Sequence, residues 1–217
     1  MRSHHLTSFK RLALISTALA CATTVQAAGF IRPEVGMMEF GNSKYEAQLS
    51  YGVATGVQFG EQGQHELCGE WTHAKIDYAD LPPKGVIGGG STHMIGKLDS
   101  LLVGYRYQFG NKNQRFRAFC GPVAGFAKHD SDITAYAVYP NGEWNGSVST
   151  WAPALGAVGG VDFKVNDKVT IQIGLRSLAM NDLGKAQLEQ INKESWRSAS
   201  VGSMTSHFVF MAVNFGL

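Results

Sequence analysis

Beyond its N-terminal region the chain lacks any apolar run of the roughly 18 residues that a transmembrane helix needs, so ordinary helical spans are excluded. Charge is scarce as well. Asp, Glu, Lys and Arg make up 17% of the 217 residues, and a mean hydropathy of −0.08 taken alone would describe a water-soluble protein. Membrane β-barrels escape that measure, because half of each strand is polar or small. Cysteine is limited to Cys21, Cys68 and Cys120, too few for a disulfide framework. The histidines at 65, 73, 93, 129 and 207 fall at no metal-binding spacing, so no metal or cofactor is expected. What the chain has in quantity is glycine, 26 residues against 6 prolines, in a length that suits one all-β domain.

The N-terminus reads as a targeting segment. Arg2, Lys10 and Arg11 form a basic start, Leu12–Leu19 an apolar core, and Val25-Gln26-Ala27 places small residues at −3 and −1 for cleavage before Ala28. A lipoprotein signal at Ala18-Leu19-Ala20-Cys21 lacks the usual first Leu. Residues 1–27 are therefore expected to be a signal peptide and 28–217 the mature domain. Removal takes three positive charges and no negative one, turning a formal +2 into −1, so nothing in the charge points to nucleic acid. Export permits a disulfide between Cys68 and Cys120 without requiring one.

The mature chain alternates. In "YEAQLSYGVATGVQFG" (45–60) every odd position is apolar, aromatic or Thr and every even one small or polar, which marks a strand with two unlike faces. The run far exceeds the usual strand of about 5–6 residues. Similar segments occupy 98–109, 147–164, 168–178 and 206–217, with weaker ones at 29–40, 65–78 and 115–128. Eight strands are expected. Short turns, Gly60–Gln64, Gly110–Asn113 and Val165–Asp167, follow the second, fourth and sixth; about 79–97, 129–146 and 180–200 form long loops after the third, fifth and seventh. Phe59, Phe109, Phe163 and Phe215 stand near the short turns, with Tyr45 and Trp151 at the opposite end, like two interfacial girdles. A soluble barrel with its bulky face inward would have to expose Gly52, Ala54, Gly56, Ala152, Ala154, Gly156 and Gly160 to water, whereas small residues suit the interior of a narrow barrel. The expected fold is an all-β, eight-stranded, antiparallel, up-and-down transmembrane β-barrel, with lipid on the bulky face and a packed lumen on the small one.

With these alternating segments, the signal, "VGYRYQF" in the fourth strand and the terminal "FVFMAVNFGL", the chain resembles the small eight-stranded outer-membrane barrels of the opacity-protein, OmpX and OmpA-transmembrane type. It departs from them at its end, which is Leu217 with Phe215 two places earlier, where such proteins usually close on an aromatic. The resemblance implies the outer membrane of a Gram-negative envelope and a structural or surface-interaction role. The partners it implies are membrane lipid, the barrel assembly machinery, and a surface ligand or host contact through the long loops. Lipid-modifying enzymes of the lipid A deacylase kind and secreted ligand-binding barrels are the alternatives.

Candidate chemistry is sparse. "GVIGGGSTHMIGK" (85–97) fails as a phosphate loop, since Ser91 stands where Gly is needed and Leu98 where Ser or Thr is. Adjacent Ser206 and His207 must point to opposite faces of a strand, so they form no nucleophile–base pair, and no enzymatic activity is expected. Arg32, Glu34, Glu66, Glu70, Arg106, Arg117, Asp162 and Arg176 lie on the small face and would project into a narrow lumen. There they should pair across the barrel and close it. A short helix is expected in 181–198 with Leu188 and Ile191 on one side, and Tyr136, Tyr139, Trp144 and Trp196 are candidate loop contacts.

Overall fold

The computed structural model describes residues 27–41, 47–79, 90–111, 113–137, 142–190, 196–200 and 202–217. Nearly all of residues 1–27, Tyr45 and Tyr139 lie outside them. The strands are β1 (Ala28–Phe40), β2 (Gln48–Phe59), β3 (His65–Ala79), β4 (Gly90–Phe109), β5 (Phe116–Ala137), β6 (Gly142–Lys164), β7 (Val169–Met180), β8 (Lys185–Gln190), β9 (Trp196–Ser200) and β10 (Met204–Gly216). All pairings are antiparallel. They run β5-β4-β3-β2-β1-β10-β7-β6, and a β5–β6 pairing closes the circuit into an eight-stranded barrel.

The two additional strands prolong the wall. Ala154 pairs with Met180 and Trp144 with Gln190 in one continuous register along β6, so β8 resumes the path that β7 leaves. The interruption at Asn181–Gly184 contains positive φ at Asp182 (57°) and Gly184 (101°), and the Leu183 N–H donates to the Gly202 carbonyl at 2.9 Å. The helix expected in 181–198 is thus a β-hairpin. Leu188 is buried with Ala186 on its inner face, while Lys185, Gln187 and Glu189 point outward, a period of two that a lone apolar pair three residues apart could not reveal. The long loops are corrected in the same way: β4 begins at Gly90, β5 runs to Ala137 and β6 starts at Gly142.

The sidedness inverts along the barrel axis. Toward the short turns, outward positions are apolar: Ile31, Val53, Leu67, Val103, Phe116, Val161, Ile173 and Met211 are all at least a third exposed. Toward the other end the outward positions turn polar, with Lys75, Asp77, Lys97, Asp99, Lys128 and Asp130. The inward ones become an ordinary hydrophobic core of Ile76, Met94, Leu98, Ile133, Trp144, Val148, Leu183 and Leu188. A membrane barrel therefore carries a water-exposed barrel on its rim. The apolar belt also sets aside the secreted soluble barrel, whose outer face would have to be polar. The turn-side girdle is present: His65 stacks on Phe59 (5.3 Å between centroids), Tyr107 meets Phe109 (5.0 Å) and Phe116 meets Phe163 (5.0 Å).

Cys68 on β3 is buried and Cys120 on β5 exposed, both as free thiols. One strand separates them, placing the backbones roughly 9–10 Å apart, beyond the approximately 7 Å a disulfide spans. Mass spectrometry of the non-reduced protein should yield no bridged peptide. Cys120 faces the apolar belt and Cys68 the lumen, so a water-soluble maleimide should modify either thiol only after boiling.

Candidate functional site

Inside the membrane belt the even-numbered positions of β1, β3, β4 and β7 deliver six charged side chains to one level of the lumen. Arg32 reaches Glu66 (Nη1–Oε1 2.9 Å) and Glu34 (Nε–Oε1 3.2 Å). Arg176 reaches Glu34 (2.8 Å) and Glu70 (2.7 Å) through Nη2 and donates to the Thr72 hydroxyl at 2.9 Å. Arg106 pairs closely with Glu70 and donates to the side-chain amide oxygen of Gln172 at 3.3 Å. The three guanidinium groups are 0–1% exposed, and each lies over an aromatic face: Arg32 on Phe30, Arg106 on Phe119, and Arg176 on Phe208 and Phe210. Three cations meet three carboxylates, so the cluster is neutral as a unit. This removes most of the penalty of burying each charge.

The other two predicted lumen charges stay out of the cluster. Asp162 is buried at the turn end, and neither of its oxygens has a hydrogen-bond partner among the described residues. Arg117, its cross-strand neighbour, is half-buried. Both stand toward the short turns from the level where the other six converge, facing each other across the β5–β6 ladder without an ion pair within 4.0 Å among the described residues. Of the predicted loop contacts, Tyr136 is exposed on the outer face of β5. Trp144 is buried at 2%, because even positions of β6 face inward, and it belongs to the rim core rather than to a binding surface. Trp196 lies in β9, opposite Glu189.

The outer wall above the belt is laced with short polar contacts. Asp130 receives hydrogen bonds from the Lys128 ammonium (2.7 Å) and the Ser149 hydroxyl, which together hold its carboxyl below the usual range. His73 pairs with Asp99 (2.8 Å) and His93 with Asp77 (3.1 Å). Inside the rim, His129 is fully buried between Ser131 and the Leu183 carbonyl, and burial lowers its affinity for a proton.

One outer-wall contact was invisible in the sequence. Ser206 points inward and is buried while His207 points outward, as their adjacency requires. The partner of His207 is instead Ser177 on β7, with Oγ and Nδ1 2.9 Å apart. On the other flank, Glu39 of β1 stands directly across from His207. Ser177, His207 and Glu39 thus form one row across β7, β10 and β1. Parity could have put all three on the outer face; only the register puts them side by side.

No protein-family model matches the chain, and no curated protein does. Solved structures do. Neisserial surface protein A superposes with a TM-score of 0.54 at 13% identity, over 88% of this chain and 99% of that one. A major outer membrane protein from Thermus thermophilus gives 0.53 at 10% identity, over 88% and 99%. The fold is that of an outer-membrane β-barrel. The outer membrane protease OmpT from Escherichia coli gives 0.50 at 5% identity, over 89% and 94%. The apolar belt, two residue faces of opposite polarity and the shared fold place this barrel in the outer membrane.

Proposed function

We propose that this barrel is a non-conducting cell-surface protein that acts through its outer wall and raised rim rather than through a pore. The observation that carries the reading is the neutral cluster of Arg32, Arg106 and Arg176 with Glu34, Glu66 and Glu70, at most 4% exposed and capped by an apolar core toward the rim. An eight-stranded barrel is only wide enough for its own side chains, and the rim offers the surface on which partners of variable chemistry are met. Its role is then support of the envelope, adhesion or capture of a surface ligand, after delivery by a cleaved signal peptide to the barrel assembly machinery. Protein reconstituted into planar bilayers should show no large steady conductance, while heated and unheated samples migrate differently on a gel. Porin-like currents from correctly folded protein would overturn it.

A lipid-modifying role is the second reading, and the Ser177–His207 hydrogen bond on the membrane-facing wall is what favours it.

A further inference from the structure

We propose that the β8–β9 hairpin is a flap over the rim core that acid releases, with His129 as its trigger. The inference concerns the rim through which the proposed function acts, and it stands whether or not that reading holds. It rests first on how lightly the hairpin is tied down. β6 and β7 pair at eleven positions, from Ala154–Met180 to Lys164–Thr170, whereas β6 and β8 pair at two, Trp144–Gln190 and Asn145–Glu189. Beyond β8 comes β9, which pairs with β8 alone among the described residues. Segments with few ladder bonds open at lower cost than the sheet they adjoin. The hinge is the Asn181–Gly184 interruption, with its positive φ angles at Asp182 and Gly184. What seats the flap is its inner face: Leu183, Ala186 and Leu188 are 0–1% exposed and belong to the rim core.

It rests second on what holds the hinge. His129 of β5 is fully buried against it, with Nδ1 3.4 Å from the Leu183 carbonyl oxygen and Nε2 2.8 Å from Ser131 Oγ. The carbonyl can only accept, so Nδ1 carries the proton of the neutral ring and Nε2 accepts from the serine hydroxyl. A second proton, on Nε2, would reverse that bond and leave a cation in an apolar core. The cross-strand partners of His129 are Leu98 of β4 and Thr150 of β6, and its inward neighbours along β5 are Ala127 and Ser131. With Leu183 of the hinge and Ala186 and Leu188 of β8, none of these ionises. The two charged groups close by face elsewhere: Asp130 points outward to Lys128 and Ser149, and Asp182 is exposed. The buried acids of the described residues, Glu34, Glu66, Glu70 and Asp162, belong to the lumen below.

In the closed flap burial lowers the affinity of His129 for a proton. Once the hinge lifts, the ring meets water and takes a proton at its ordinary value of about 6.5. The open form therefore binds more protons as pH falls. Closure is fully favoured above about pH 7 and loses ground as pH drops through about 6.5. At about pH 5 an exposed imidazole is protonated roughly 30 to 1, so opening gains by up to about 30-fold. Released, the hairpin bares its own Leu183 and Leu188 and the Val148 against which Gly184 packs. The rim then presents a polar wall near neutrality and an apolar one in acid.

The test uses the full mature protein, refolded in detergent and checked by heat-dependent gel migration. Hydrogen exchange is followed by mass spectrometry at about pH 7.5 and about pH 5 and expressed as protection factors, which removes the pH dependence of exchange itself. Amides of Lys185–Gln190 should lose protection by about 10–30-fold in acid, while those of the β2–β3 ladder keep theirs. His129→Gln, which retains a donor and an acceptor, should give the same protection at both pH values. So should His129→Leu, which fills the core without ionising. His93→Gln, on the outer wall beside Asp77, should respond like the wild type. Unchanged protection of β8 in the wild type overturns the proposal, as does an acid loss that survives in both His129 variants. A loss shared equally by β2 and β3 overturns it too, since that is acid unfolding of the whole barrel. None of these readouts depends on the conductance result.

Discussion

Arg176→Ala should cost the folded barrel about 3–5 kcal/mol, the range seen when one partner of a buried ion pair is removed. The side chain is 1% exposed, and its Nη2 lies 2.8 Å from Glu34 and 2.7 Å from Glu70. Deleting it leaves three carboxylates with two guanidinium groups in a space closed to water, strips Thr72 of its donor and opens a void over Phe208 and Phe210. The loss should appear as a lower urea midpoint for the heat-sensitive gel form in lipid vesicles. Arg115→Ala, exposed beside a short turn, should change stability by less than about 0.5 kcal/mol. The diagnostic variant is the double change Arg176→Met with Glu34→Gln. Removing a cation and an anion together restores the balance, so its cost should fall well short of the Arg176→Met and Glu34→Gln costs added together. A double variant as unstable as the sum would mean the cluster holds by shape rather than charge.

The membrane half of this fold was legible because lipid imposes one rule on it. Where hydrocarbon lies outside, outward side chains must be apolar, and a period of two with bulky odd positions reports both strand and face. Thus "YEAQLSYGVATGVQFG" led to β2 with Tyr51 and Val53 outward and Ala54 buried. The same parity put Arg32, Glu34, Glu66, Glu70, Arg106 and Arg176 inside. Above the membrane the rule reverses. Lys97 and Asp99 face water while Met94 and Leu98 form the core, so a search for outward apolar stripes ends at the interface and mistakes strand for loop. Trp144 reads as a loop contact for that reason. The Ser177–His207 contact was out of reach for another: it joins residues thirty positions apart through a strand register, and alternation fixes faces but not registers.

Register also explains why the lumen tolerates so much charge in so little room, and a single glycine exposes the dependence. Gly121→Val should leave no folded, heat-sensitive barrel. On β5 this glycine faces inward beside Arg106 of β4, and an added Cβ would lie 2.9 Å from the Arg106 Cα and closer still to the Tyr105 carbonyl oxygen. Both obstacles are backbone, so neither can swing aside. The β4–β5 ladder pairs Gly104 with Val123 and Tyr107 with Cys120 in one register, with no paired partners between them, where Pro122 has no N–H to give the ladder. Overpacking a core side chain typically costs about 1–3 kcal/mol because neighbours repack. Here the strands themselves would have to part, and Arg106 would leave Glu70 and Gln172, so the two losses fall on the same cluster. The matched control is Gly69→Val on β3. Gly69 faces outward with nothing within 4 Å of a built Cβ, so valine there projects into lipid and the barrel should fold normally. Normal folding of both variants would show that the close approach at Gly121 is not needed to seat Arg106. Failure of Gly121→Val alone would trace the charged lumen to a point where only a hydrogen atom fits between two strands.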